Sequence, residues 1–197
     1  MLITQLHFSI IFIIMRIISG KFKGKKINYN NLQNVRPTTD RTKESLFNIL
    51  NQHFVFEEIN ALDLFSGSGN ISYELASRGV RKITSVEKNI KCVKFIHDFS
   101  KTLDIKLNII NSTTLKFLYI TKLKFDLIIA DPPYSHTKEK IQDLIDLIFR
   151  KKILKKNGIL IIEHHKKNLI PENEFLFDKR TYGANSLSFF KQKKSRS

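Results

Sequence analysis

The feature that most constrains the fold is a regular alternation of short apolar runs with amphipathic stretches between residues 61 and 164. This cadence is typical of a parallel sheet with helices on both faces. The sequence therefore predicts an α/β fold with a doubly wound sheet. Strands are predicted at 61–65, 82–87, 106–110, 125–131 and 158–164, and helices at about 70–78, 89–103, 114–120 and 138–153.

The segment before this alternation is strongly basic. Residues 16–27, RIISGKFKGKKI, carry five positive charges and no acid, and their glycines favour a small basic hairpin. Farther on, Asp40 can cap a helix in which Leu46, Phe47 and Leu50 recur at helical spacing. A hairpin and one helix are therefore expected ahead of the first strand of the sheet.

The tail departs from the alternation in another way. FLFDKRTYG and SLSFFKQK read as two consecutive strands joined by a turn near Gly183. The tail is therefore expected to add two strands after the alternation.

The first residues, MLITQLHFSIIFII, are apolar but lack a basic n-region, and the run is shorter than the roughly 20 residues that span a bilayer. We treat residues 1–14 as an extension of unknown status and expect no membrane partner. The expected organisation is a single domain at 15–197, with a basic hairpin at 16–30 and a cofactor-binding and catalytic core at 36–191.

Charge and cysteine content narrow the classes of partner. The chain has 34 Lys and Arg against 18 Asp and Glu, a net charge of +16, which favours polyanions such as nucleic acid. The single cysteine, Cys92, excludes an internal disulfide and a multi-cysteine zinc site, and fits a reducing, cytoplasmic compartment. No metal is expected.

A glycine-rich loop follows the first strand of the alternation. In DLFSGSGN, Gly67 and Gly69 permit a tight turn and close approach of the backbone to a ligand at the next helix's N-terminus. The loop has neither the Gly-Lys-Ser/Thr of a P-loop nor the third glycine of a dinucleotide fingerprint. Asp63, Phe65 and Ser66 complete the predicted cradle.

Acids around this loop indicate a cationic nucleoside. Glu87 ends the next strand, where a carboxylate can accept hydrogen bonds from both hydroxyls of a ribose. Asn111 and Ser112, after the third strand, could bond the adenine edge. Because the loop lacks a phosphate-binding lysine and is flanked by Asp63 and Glu87, S-adenosylmethionine (SAM) suits it better than ATP or NAD.

The stretch Asp131-Pro132-Pro133-Tyr134 ends the fourth strand and is the predicted catalytic motif. An exocyclic amine of a nucleobase is a weak nucleophile because its lone pair is delocalised into the ring. The Asp131 carboxylate and the Pro132 carbonyl can accept its two N–H groups, while the Tyr134 ring can stack on the base. Direct transfer needs no covalent enzyme intermediate, which fits a cysteine remote from these motifs.

The segments RIISGKFKGKKI, RPTTDRTKESLFNIL, ALDLFSGSG, ELASRG and FDLIIADPPY together resemble the bacterial RsmD family, over residues 16 to about 190. The resemblance implies a seven-stranded class I methyltransferase (Rossmann-like) fold whose last two strands form an antiparallel edge. It also implies methylation of the N2 amine of the guanine numbered 966 in 16S ribosomal RNA. It also implies that Arg36, Thr38, Asp40 and Arg41 lie beside the SAM pocket and the target base. The chain departs from the family's usual small and leucine residues at Asn70-Ile71-Ser72-Tyr73, which is expected to alter helix packing more than chemistry.

The expected partner is 16S ribosomal RNA or the small ribosomal subunit, bound by a monomer. Alternatives remain open: a DNA adenine-N6 or cytosine-N4 methyltransferase, a glutamine-N5 protein methyltransferase, or a catalytically silent RNA-binding assembly factor. The predicted RNA contacts, besides the target-base arginines Arg36 and Arg41, are Arg16, Lys21, Lys23, Lys25 and Lys26.

Overall fold

The computed structural model describes residues 15–28, 40–133, 135–168, 170 and 173–193. Strands and helices alternate through its centre in the predicted order. The strands are β1 (Met15–Arg16), β2 (Lys26–Ile27), β3 (Asn60–Leu64), β4 (Lys82–Glu87), β5 (Asn108–Asn111), β6 (Phe125–Ala130), β7 (Leu154–His165), β8 (Leu176–Tyr182) and β9 (Asn185–Phe190). The helices are α1 (Asp40–Leu50), α2 (Asn70–Ser77), α3 (Ile90–Thr102), α4 (Thr114–Ile120) and α5 (Lys138–Arg150), with one 3-10 turn at Phe56–Glu58.

Seven strands form one sheet in the order β5-β4-β3-β6-β7-β9-β8. The strands from β5 to β7 are parallel, and β9 pairs antiparallel with both β7 and β8. The predicted mostly parallel, doubly wound sheet with an antiparallel C-terminal end is confirmed. Strand order reverses between β3 and β6, and open α/β sheets bind their ligands at the carboxyl ends of strands at such a point.

Helices cover both faces of the sheet because the parallel strands are apolar on both sides. Ala61 of β3 packs in a core with Leu46 and Phe47 of α1, while Leu62 and Leu64 pack with α4 and α5 on the opposite face. Each large side chain buried in this way stabilises the fold by about 1.5–3 kcal/mol. The rigid sheet that results holds the loops at its carboxyl edge.

The predicted basic hairpin exists, but its ladder is short. Met15 pairs with Ile27 and Arg16 with Lys26, and Ile17 and Ile27 are buried. The backbone at Gly20 has φ +81° and lies so close to α2 that a Cβ there would be 1.8 Å from the Ser77 carbonyl oxygen. Only glycine fits this contact, so the hairpin is docked against the end of α2.

Strand β7 begins at Leu154, before the predicted start at residue 158. The β6–β7 register shifts between Phe125 and Leu127, and a Cβ on Gly158 would lie 2.8 Å from the Asp126 carbonyl oxygen. The glycine lets the chain pass this irregularity and continue as a strand. Helix α5 ends at Arg150, before the predicted residue 153. No helix in the described ranges is long and apolar enough to cross a membrane.

Candidate active site

A cleft of about 950 Å³ opens at the carboxyl edge of the sheet, over the ends of β3, β4 and β6. It lies where the strand order reverses. The cleft brings together most of the residues that the sequence predicted for cofactor and catalysis. Those that line it are Asp63, Phe65, Ser66, Gly67, Glu87, Ser112, Asp131, Pro132 and Pro133.

The glycine loop turns sharply between β3 and α2. Phe65, Gly67 and Gly69 all have positive φ, at 62°, 54° and 82°. For Phe65 this is a strained conformation, and its ring packs edge-on against His136 at a centroid distance of 5.5 Å. At Gly69 a Cβ would lie 2.8 Å from the Tyr73 ring. The loop therefore needs its glycines, and it presents backbone to the cleft.

Glu87 fixes the loop from the neighbouring strand. Its Oε2 accepts a hydrogen bond from the Gly67 N–H at 2.9 Å, and its Oε1 accepts one from the Asn89 N–H at 2.7 Å. Each carboxylate oxygen can accept more than one hydrogen bond, so these contacts leave acceptor capacity for ribose hydroxyls. Glu87 joins the glycine loop to the start of α3.

Asp63 lies deeper, at 3% exposure, and its Oδ2 accepts a hydrogen bond from the Ser72 hydroxyl at 2.6 Å. Burial raises the pKa of Asp63 to about 7, and the charges of Asp131 and Glu87 add to the rise, while Ser72 opposes it. A cation bound in the cleft would favour the ionised carboxylate. The three acids thus suit a positively charged ligand.

The catalytic motif follows β6, which lies beside β3 in the sheet. Asp131 is half-buried, Pro132 is buried and Pro133 is exposed. The Pro133 carbonyl accepts a hydrogen bond from the His136 N–H at 2.8 Å, which closes a turn ahead of α5. Tyr134 lies outside the described residues. The Asp131 carboxyl and the glycine loop face the same cleft from neighbouring strands.

Of the two residues predicted for the adenine edge, only one lines the cleft. Ser112 lines the cleft, and its N–H donates to the Glu87 carbonyl at 3.1 Å. The Asn111 amide donates to the carbonyls of Glu87 and Lys88 at 3.0 and 3.1 Å and is not among the lining residues. Asn111 therefore holds the β4–α3 connection in place.

Among the N-terminal residues predicted to meet RNA or cofactor, those that the structure describes lie outside the cleft lining. Arg16 Nε donates to Asp40 Oδ2 at 2.7 Å, which ties the hairpin to α1, and Arg41 is exposed. Arg36 and Thr38 fall outside the described residues. The hairpin lysines predicted to bind RNA are all exposed: Lys21, Lys23, Lys25 and Lys26.

One interpretation of the sequence is wrong. Cys92 is not remote from the motifs, because α3 starts directly after the Glu87 loop and brings this buried thiol to the wall of the cleft. Burial raises the pKa of the Cys92 thiol to about 11, and the nearby Glu87 charge adds to the rise. The thiol is held neutral, which keeps it a poor nucleophile.

Sequence reasoning also missed a buried ionic network beside the cleft. Lys43 and Glu74 are both 0% exposed and lie 3.2 Å apart, and Glu74 also accepts from Arg78 Nε at 2.9 Å. Burial lowers the pKa of Lys43 and the Glu74 charge opposes that shift. Lys43 Nζ donates to Asn70 Oδ1 at 2.8 Å, at the start of α2. The sequence signal for this network was Glu74, a charged residue of the predicted helix that stands between two apolar core residues.

Comparisons with known proteins identify the family of this chain. Residues 15–191 match the family model described as Conserved hypothetical protein 95. This model represents the RsmD family, so the chain belongs to that family. Its relatives include the Ribosomal RNA small subunit methyltransferase D of Buchnera aphidicola (subsp. Acyrthosiphon pisum), 36% identical, covering 83% of this chain and 86% of that protein. The protein of the same name from Haemophilus influenzae is 32% identical, covering 89% and 93%.

A solved structure of the yhhF protein of Escherichia coli is also similar to this RsmD family member. It has a TM-score of 0.76 at 26% identity and covers 90% of this chain and 97% of the other. The chain is a SAM-dependent methyltransferase with a class I fold. The cleft fits SAM on its own evidence: a backbone cradle that needs glycines, and three acids for a cation.

In this RsmD family member, Glu87→Ala is expected to weaken SAM binding by about 1–3 kcal/mol. The change removes the acceptors proposed for the ribose and leaves the N–H groups of Gly67 and Asn89 without their carboxylate. Isothermal titration calorimetry measures the effect. Glu58→Ala, at an exposed position away from the cleft, is the control. Unchanged affinity in Glu87→Ala would remove this carboxylate from the binding site.

Proposed function

We propose that this RsmD family member transfers a methyl group from SAM to the exocyclic N2 of a guanine in 16S ribosomal RNA, in support of small-subunit maturation. The observation that carries the proposal is the Asp131-Pro132-Pro133 segment at the end of β6, facing the same cleft as the glycine loop of β3. The names of the curated relatives, which refer to ribosomal RNA of the small subunit, support the substrate class.

SAM supplies an electrophilic methyl group on a sulfonium. The chain's own contribution is to hold the amine so that its lone pair points at that carbon. Asp131 accepts one N–H and the Pro132 carbonyl accepts the other, while Tyr134 stacks on the base. As the N–C bond forms, the bond between the methyl group and sulfur breaks and the sulfur leaves as a neutral thioether. The nitrogen gains positive charge, which the Asp131 carboxylate would stabilise before it takes the released proton. Two prolines keep these acceptors fixed, so little reorganisation is needed.

Guanine in RNA is the proposed base for two reasons. A base already splayed out in an RNA loop costs little to unstack, which suits a compact catalytic core. Arg36 or Arg41 could bond guanine O6 or N7, acceptors that arginine matches well. We further propose that the enzyme acts as a monomer in the cytoplasm, on 16S ribosomal RNA or on the small subunit.

Methyl-acceptor choice tests the proposal. We expect labelled SAM to give N2-methylguanine in small subunits that lack modification, and no label in unmethylated duplex DNA. Mass spectrometry of the nucleosides reads out both substrates. Labelled N6-methyladenine in the DNA with none in the RNA would replace the RNA proposal by the DNA alternative. The absence of transfer to any acceptor, with SAM still bound, would favour a silent assembly factor.

The basic hairpin is proposed to hold RNA by its phosphates. Replacing Lys21, Lys23, Lys25 and Lys26 together by Gln should lower RNA affinity and flatten its salt dependence, by roughly 0.7–0.9 in log–log slope for each phosphate that is no longer neutralised. Filter binding over a range of salt concentrations measures both quantities.

A matched control separates position from net charge. Lys82, Lys101, Lys106 and Lys156 are also exposed and lie outside the cleft lining. Replacing these four by Gln removes the same charge and should change affinity and slope less. Equal effects of the two variants would mean that the hairpin lysines act only through the overall charge of +16.

A further inference from the structure

Asn70, the first residue of α2, lines the cleft and is 6% exposed. Its Oδ1 accepts the hydrogen bond from Lys43, whereas its buried Nδ2 has no hydrogen-bond partner among the described residues. A lysine ammonium can only donate, so this contact decides which end of the amide is the oxygen. A residue that lines the cofactor cleft thus carries an oriented, buried donor without a partner among the described residues.

Charge near Asn70 differs from charge in the rest of the cleft. Asn70 sits in the first turn of a helix, where the helix dipole favours an anion, and the Lys43 ammonium donates to its amide oxygen. The acids Asp63, Asp131 and Glu87 line the cleft as well and favour a cation. A ligand that carries both charges matches this separation.

We propose that Asn70 donates through Nδ2 to the carboxylate of the methionine part of SAM, and that Lys43 holds the amide in that orientation. The proposal rests on SAM being the ligand of this cleft, and it adds a discriminating contact to the proposed function. Asn70 stands where the family resemblance predicts a small residue. The departure therefore changes ligand recognition and not packing alone.

A pair of ligands that differ only in the carboxylate tests the contact. Calorimetry compares SAM with decarboxylated SAM, which keeps the sulfonium and the amine. We expect Asn70→Ala to weaken SAM binding about tenfold or more and to change decarboxylated SAM less than about twofold. Asn70→Asp keeps the shape and the bond from Lys43 but loses the donor. It should weaken SAM further and leave the decarboxylated ligand bound at least as tightly.

Controls make the outcomes decisive. Asn48→Ala, at an exposed position on α1, should leave both affinities unchanged. Equal losses for the two ligands in Asn70→Ala, or no loss for SAM, would overturn the contact while leaving RNA methylation by the enzyme intact. Failure of the wild type to bind either ligand would overturn the cofactor assignment itself.

A measurement on the wild-type protein covers the case in which the variants do not fold. The side-chain amide signals of Asn70 in a nitrogen-15 NMR spectrum should move when SAM is added and much less when decarboxylated SAM is added. Equal movement with both ligands would overturn the contact to the carboxylate.

Discussion

Asp131→Ala is expected to lower the rate of methyl transfer by about a hundredfold to a thousandfold, while SAM affinity stays within a few-fold of wild type. Asp131 is half-buried at the end of β6, and the buried Pro132 fixes the chain beside it. Its carboxylate is proposed to bind the amine most strongly when the nitrogen carries developing positive charge. The loss should therefore fall on the transition state and spare cofactor binding.

Single-turnover kinetics with saturating SAM measure this rate, and calorimetry gives the affinity of the same variant. Asp131→Asn keeps an acceptor oxygen without the charge and should give an intermediate rate. The control is Asp126→Ala, at the other end of β6. Asp126 Oδ2 accepts from the Asn60 N–H and from Lys155 Nζ, so this variant should lose stability and keep its rate. A near wild-type rate in Asp131→Ala would reduce the motif to a strand-terminating turn.

The fold could be predicted from the sequence because the patterns that indicate its strands and helices are local. Each strand of the parallel sheet is a short apolar run, and the helices between them are amphipathic, so their order could be read without any long-range contact. The carboxyl ends of parallel strands meet at one edge, which let the glycine loop, Glu87 and Asp131 be predicted to lie together. Their contacts with a ligand stay predictions.

Other features depend on contacts between distant parts of the chain. Lys43 and Glu74 look like ordinary helical charges, and they are buried only because the hairpin, α1 and α2 meet around them. Cys92 was misjudged because distance along the chain from the motifs says little about distance across a sheet edge. The early start of β7 required the register shift near Gly158, which no periodicity reveals.

Glu74→Gln is expected to lower the free energy of unfolding by about 3–5 kcal/mol, because it leaves the buried Lys43 ammonium without its counter-charge. Glu74 is fully buried, and it also accepts from the N–H groups of Ile18 and Ser19 at 2.8 and 3.1 Å. One carboxylate therefore joins the N-terminal hairpin to α1 and α2. Urea denaturation, followed by circular dichroism, measures the loss.

An exposed ion pair calibrates this result. Arg180 Nε lies 2.9 Å from Asp178 Oδ2, with side chains 58% and 30% exposed, so Asp178→Asn should cost only about 0–1 kcal/mol. A loss in Glu74→Gln no larger than this would mean that Lys43 is neutral in the folded protein and needs no counter-charge. If the ammonium is charged, hydrogen exchange at Ile18 and Ser19 should speed up in Glu74→Gln.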